Sequence, residues 1–135
     1  MTIWLSQAIT LALHDEQLAQ HGGAGGLRDR GLLESALARP PNRASYGDPD
    51  TAELAALYAI AIARNHPFVD GNKRTAFGAM VLFLSLNGLE LEAPEVEAVI
   101  TTLRMAAGDM PDDEFIAWVR AHAELPTENQ PSDKG

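Results

Sequence analysis

Two apolar runs, Leu54 to Ala63 and Thr75 to Leu86, flank a short connector that carries His66, Pro67, Asp70, Gly71, Lys73 and Arg74, and this arrangement limits the possible folds more than any other feature. Runs of ten residues or more, rich in Ala, Leu and Ile, have the length of helices rather than strands. The second is apolar on nearly every face, which marks a central buried helix rather than a surface one. Two helices can be joined without a histidine, a carboxylate, a lysine and two arginines, Arg64 included. The connector therefore reads as a site and the runs around it as its scaffold.

The rest of the chain supplies further helices. Ile9, Leu11, Ala12, Leu13 and Leu18 recur near helical spacing between Ser6, a good N-cap, and the Gly22-Gly23 stop, with Ile3 and Trp4 expected to pack back on the first turn. His14 and His21 lack partners at any metal-ligand spacing and read as surface or core histidines. Gly22 to Gly26 follows a helix and lacks the Lys-Ser/Thr of a phosphate loop, so it reads as a flexible connector. Asp29 to Arg39 is a short amphipathic helix with Leu32, Leu33, Ala36 and Leu37 inward, expected to stop at Pro40-Pro41. Residues 40 to 49 have no period and are either a linker or a flap beside the site. Asp50 and Glu53 resemble a capping box for the first apolar run, and Pro67 disfavours helical geometry at His66, so that helix ends near Asn65.

Beyond Asn87-Gly88, the stretch Leu89 to Glu92 is an extended connector. Pro94 opens a helix with Val96, Val99, Ile100 and Leu103 as its apolar face, and Pro111 opens a last one with Phe115, Ile116, Trp118 and Val119 inward. Six helices without a convincing strand predict an all-α, compact single-domain bundle over residues 1–124, followed by a polar tail, 125–135, expected to be disordered.

Composition excludes several roles. A chain of 135 residues suits one domain. Without cysteine it has neither disulfides nor thiolate chemistry. No basic leader precedes an apolar segment and no run reaches the roughly 18 residues that span a bilayer, so a cytoplasmic protein with no membrane partner is expected. A net charge of −9 opposes direct nucleic-acid binding, which is built from clustered cations. Against that acidic background, Lys73 and Arg74 suggest a local anion site.

Gly71-Asn72-Lys73-Arg74 lies where the connector enters the second run. Backbone N–H groups are unpaired at a helix N-terminus and the macrodipole is positive there, which together favour an anion. Gly71 allows the turn and Asn72 is a suitable N-cap. Two cations in the first helical turn are each unfavourable by about 0.3–1 kcal/mol, and a bound phosphate reverses that sign. Asp70 is either a second capping residue or, with substrate phosphates, a Mg²⁺ ligand. His66 is a candidate general base toward a hydroxyl, and Phe68 the anchor that holds the loop to the core.

The segment His66-Pro67-Phe68-Val69-Asp70-Gly71-Asn72-Lys73-Arg74 resembles the Fic/Doc superfamily signature, His-x-Phe-x-Asp/Glu-Gly/Ala-Asn-Lys/Gly-Arg, without a break. Gly26-Leu27-Arg28-Asp29 and Leu32 to Leu37, with the chain length and helix order, look like the short death-on-curing branch. The resemblance implies an ATP-using transferase in which His66 activates a hydroxyl, Asp70 holds Mg²⁺, and Gly71, Asn72, Lys73 and Arg74 bind phosphates, with Arg64 a further contact. Fic adenylyltransferases typically have Gly where Lys73 stands and a second arginine where Phe77 stands. Lys73 is typical of the Doc branch, whose members are similar in moving a γ-phosphoryl group to a threonine of elongation factor Tu, arresting translation. The family's asparagine one turn into the helix is replaced by Gly78. A cognate antitoxin with a disordered segment that folds on binding is the implied partner, docking on a groove lined by the first helix and the flap. An adenylyltransferase and a catalytically inactive interaction module are the alternatives; His66 and Asp70 alone make too few ligands for a metal hydrolase or nuclease.

Overall fold

A computed structural model describes residues 1–126, and within them six helices carry almost all the regular structure. They are α1 (Gln7–His21), α2 (Arg30–Ala44), α3 (Thr51–Asn65), α4 (Asn72–Leu86), α5 (Glu95–Ala106) and α6 (Asp112–His122). The all-α expectation therefore holds. Most of the expected tail, residues 127–135, lies outside the described residues. No described helix is long and apolar enough to cross a membrane.

The central helix is α3 rather than α4. Every residue from Leu54 to Ala63 is buried, and α3 touches α2, α4, α5 and α6. Its repeated alanines let four neighbours approach closely, and Leu57, Tyr58, Ile60 and Ile62 fill the space between them. Helix α4 buries Ala76, Ala79, Met80, Phe83 and Leu84 but leaves Val81 and Leu82 half-exposed. Apolarity all round a helix thus overstated its burial, because only one face meets α3.

Local signals set most boundaries. The Ser6 hydroxyl accepts from the Ile9 N–H, and the Asp29 carboxylate accepts from the Leu32 N–H. Asp50 accepts from the Glu53 N–H at 2.9 Å, while the Glu53 carboxylate, instead of closing a capping box, takes the Arg43 guanidinium at 2.7 Å. Helix α2 runs through Pro40-Pro41 to Ala44, against expectation. Pro40 is buried and continues the stripe Leu33, Ala36, Leu37, so packing outweighs two missing N–H donors near the end of the helix. The segment between α2 and α3 is not a free linker either: Arg43 donates to the Tyr46 carbonyl at 2.5 Å and lies over its ring.

Two further expectations are corrected. Val96, Val99, Ile100 and Leu103 of α5 are exposed, 70% in the case of Val96, whereas Ala98, Thr101, Thr102 and Met105 face inward. On α1 the buried positions are Thr10 and His14, with Ile9 exposed, and Ile3 is exposed too, although Trp4 stacks on Phe83. Finally, the extended connector pairs: β1 (Glu90–Leu91) and β2 (Ala123–Glu124) form one antiparallel ladder that ties the end of α6 to the segment after α4.

Candidate functional site

The connector between α3 and α4 is built from backbone special cases. Helix α3 ends at His66, the one described non-glycine residue at positive φ, with φ 51° and ψ 55°. Such a conformation costs of order 1–3 kcal/mol and persists only where the surroundings enforce it. Arg28 is part of that enforcement, donating through Nε to the His66 carbonyl at 2.6 Å and through Nη2 to the Asn65 carbonyl at 3.0 Å. The backbone N–H groups of Arg28 and Asp29 both donate to the Pro67 carbonyl, and Val69 N–H donates to the Gly26 carbonyl. The glycine-rich segment after α1 therefore pairs with the connector, so it is not the flexible joint its composition suggests.

Phe68 is buried as expected, with the His14 ring stacked on it at 3.8 Å and 7° between planes. Asn72 is not the N-cap. Gly71 takes that position with φ 79°, and Asn72 opens the helix with its side chain folded back on the connector. Its Oδ1 accepts from the Phe68 N–H and its Nδ2 donates to the Phe68 carbonyl, both at 2.9 Å. That second bond fixes which end of the amide is nitrogen, and this nitrogen sits 3.4 Å from His66 Nδ1. At that distance the contact is at the outer limit of a hydrogen bond, and because Nδ2 is the donor it is one only when His66 Nδ1 accepts.

No side chain caps α4, and the first bond into the helix runs from Thr75 N–H to the Gly71 carbonyl. The N–H groups of Asn72, Lys73 and Arg74 thus have no acceptor among the described residues and lie at the positive end of the helix. Beside it, Lys73 and Arg74 are exposed and, with Arg104, are the cations that make neither ion pair nor hydrogen bond among the described residues. Three N–H donors and two cations with nothing to bind make a cradle for an anion.

Asp70 is exposed on the same turn. Its Oδ1 accepts from Gly71 N–H at 2.8 Å and its Oδ2 faces Ala24 N–H at 3.4 Å, leaving lone pairs on both oxygens. Among the described residues no group of three or more His, Cys, Asp or Glu side chains is placed to hold a metal. A cation here would share Asp70 with oxygens of a bound anion, the usual arrangement for Mg²⁺.

The structure brings His66, Asp70, Gly71, Asn72, Lys73 and Arg74 together on one turn but directs Arg64 elsewhere. The Arg64 guanidinium pairs with Asp112 at 2.5 Å and donates to the Met105 carbonyl, joining α3 to α5 and α6. Gly78 lies close under α1: a Cβ there would stand 3.2 Å from the end of the Leu13 side chain, which would have to give by a few tenths of an ångström. Three contributors escaped the sequence. Gly23 sits on the loop read as a joint, Arg28 just beyond it in a segment noted only for its family resemblance, and His14 looked like any helix histidine. The only available signal was the spacing of Thr10 and His14, two polar residues one turn apart.

The sequence that builds this region is similar to that of known proteins. The model of the Fic/DOC family matches residues 4–84, which include α1 to α3, the connector and most of α4. The chain is similar to "Protein kinase doc" of Escherichia phage P1, 37% identical over 102 residues that make up 74% of this chain and 79% of that protein. It is also similar to "Toxin Doc" of Mycolicibacterium smegmatis, 46% identical over 74 residues, 53% of this chain and 57% of that one.

Proposed function

The chain belongs to the Fic/DOC family, and from this we propose that it is a Doc-like toxin, a phosphotransferase that moves the γ-phosphoryl group of ATP to a threonine of elongation factor Tu. The observation that carries this reading is the uncapped N-terminus of α4, with Lys73 and Arg74 unpaired on it and Asp70 and His66 on the turn before. The donor set fits a polyphosphate. The N–H groups of residues 72–74, Lys73 and Arg74 would grip its oxygens, and Asp70 would hold Mg²⁺ against them. When bound, that ion would neutralise charge between phosphate oxygens.

His66 would take the proton of the target hydroxyl through Nε2, which requires the tautomer protonated at Nδ1. That form gives up the long 3.4 Å contact from Asn72 Nδ2. Phosphoryl transfer asks for positioning and charge stabilisation more than for covalent chemistry, and a rigid turn with fixed dipoles is suited to supply both. Phe77, half-buried on α4, offers no cation for a second phosphate grip, which disfavours the adenylyl-transfer alternative. Silencing by an antitoxin whose disordered segment folds on the toxin, and a cytoplasmic location, complete the proposal.

The test is mass spectrometry of elongation factor Tu incubated with the protein, ATP and Mg²⁺. One added phosphate is the expected result. An added AMP would convert the reading to an adenylyltransferase, and unmodified target would overturn both in favour of an inactive interaction module.

A further inference from the structure

His14 is buried on α1, far in sequence from the connector, and nothing in the proposed chemistry uses it. Its ring lies flat on Phe68, and its Nε2 is 2.8 Å from the carbonyl oxygen of Asp70. A carbonyl only accepts, so Nε2 carries the proton. The same peptide unit is held from its other side, because its N–H, that of Gly71, donates to Asp70 Oδ1 at 2.8 Å. The peptide between Asp70 and Gly71 is thus pinned at both ends.

That peptide is the one whose orientation matters most. Gly71 is left-handed at φ 79°, and glycine turns of this kind are the ones in which a peptide can rotate without steric penalty. Rotation would withdraw the N–H from Oδ1 and release the Asp70 carboxylate. The loop after α1 presses on the same carboxylate: a Cβ on Gly23 would stand 2.6 Å from Oδ2, and Ala24 N–H faces that oxygen. Packing alone does not need an imidazole here. A phenyl ring would stack on Phe68 as well, but it has no proton to donate to Asp70.

We propose that His14 is a positioning residue, whose Nε2–H locks the Asp70–Gly71 peptide and thereby aims the Asp70 carboxylate and sets the turn that opens α4. It rests on the proposed role of Asp70 in holding Mg²⁺ with a nucleotide. Two substitutions separate the ring from the donor: His14→Phe keeps the stack and loses the N–H, whereas His14→Gln keeps a donor near the Nε2 position and loses the ring.

The readouts are MgATP binding titrated against Mg²⁺, phosphotransfer to elongation factor Tu, and ¹⁵N NMR of the wild-type histidines. For His14→Phe the Mg²⁺ needed for half-maximal binding rises at least tenfold, and His14→Gln recovers most of that loss. In the wild type, Nε2 of His14 carries a proton. The proposal is overturned by a His14→Phe variant with unchanged Mg²⁺ dependence, by a His14→Gln variant as impaired as His14→Phe, or by an Nε2 that carries no proton. Wild-type protein that binds no MgATP would instead remove the nucleotide reading of the site, and the tautomer would still decide whether His14 donates to Asp70.

Discussion

Single residues carry the strain of the connector and the chemistry proposed for it. His66 occupies a left-handed conformation that glycine would accept freely. His66→Gly should therefore raise unfolding free energy by up to about 1 kcal/mol while cutting phosphotransfer by about 10²–10⁴-fold, as expected on losing a general base. Thermal unfolding and a transfer assay on the same sample check the two halves, and a variant that loses stability would refute the strain argument. A second residue tests the core. The buried Tyr58 hydroxyl accepts from Leu5 N–H at 3.1 Å, and burial raises its pKa, opposed by that bond. Tyr58→Phe leaves the N–H unpaired and should cost about 1–2 kcal/mol by chemical denaturation. Residue types alone marked His66, Asp70, Lys73 and Arg74 as a site because their chemistry is wasted on packing. They did not mark His14 or Arg28, whose contributions are hydrogen bonds to distant carbonyls that no local pattern records.

Among the elements, the caps Ser6 and Asp50 were legible, whereas the cap of α4 and the inward faces of α1 and α5 were not. Asp50 caps α3, and its carboxylate also pairs with Arg120 of α6 at 2.6 Å. Its pKa is lowered, first by the Arg120 hydrogen bond, against an upward push from burial, with help from the Glu53 N–H. A carboxylate with a depressed folded pKa adds stability above its unfolded value, near pH 4, and loses it as pH falls through the lower folded value. Both partners are half-exposed, so the ion pair itself is worth under about 1 kcal/mol. Asp50→Asn should keep the cap and flatten the stability profile below pH 4, whereas Asp50→Ala should lose about 1 kcal/mol at neutral pH as well. Unfolding curves of both variants at several pH values distinguish these effects. Helix α5 offers the sharper contrast. Val99→Lys should shift stability by no more than about 0.5 kcal/mol because the side chain is exposed, while Met105→Ala should cost about 2–5 kcal/mol. The opposite ranking would restore the face expected from periodicity. An apolar stripe is defined by the helix itself, but which stripe is covered depends on how α5 meets α3 and α4.

The molecule as a whole is organised around α3, and the site exists because α3 and α4 are packed together with a short, strained turn between them. Since α2, α4, α5 and α6 share that one helix, the domain should unfold in a single transition. Ala59→Leu, at a fully buried position, should lower its midpoint through overpacking of about 1–3 kcal/mol without splitting it; a biphasic curve would show that the helices are not one cooperative unit. Spacing and capping residues were enough to establish the helical class and the limits of α1 and α3 and the start of α6 within a residue or two. Those signals are local and survive without a fold. Packing had to be seen before α3 rather than α4 proved central, α2 was found to continue through Pro40, Arg64 turned to Asp112, and His14 and Arg28 emerged as braces of the turn. Each of these joins residues far apart in the chain, and their energy comes from burial or from a partner that only the folded arrangement delivers.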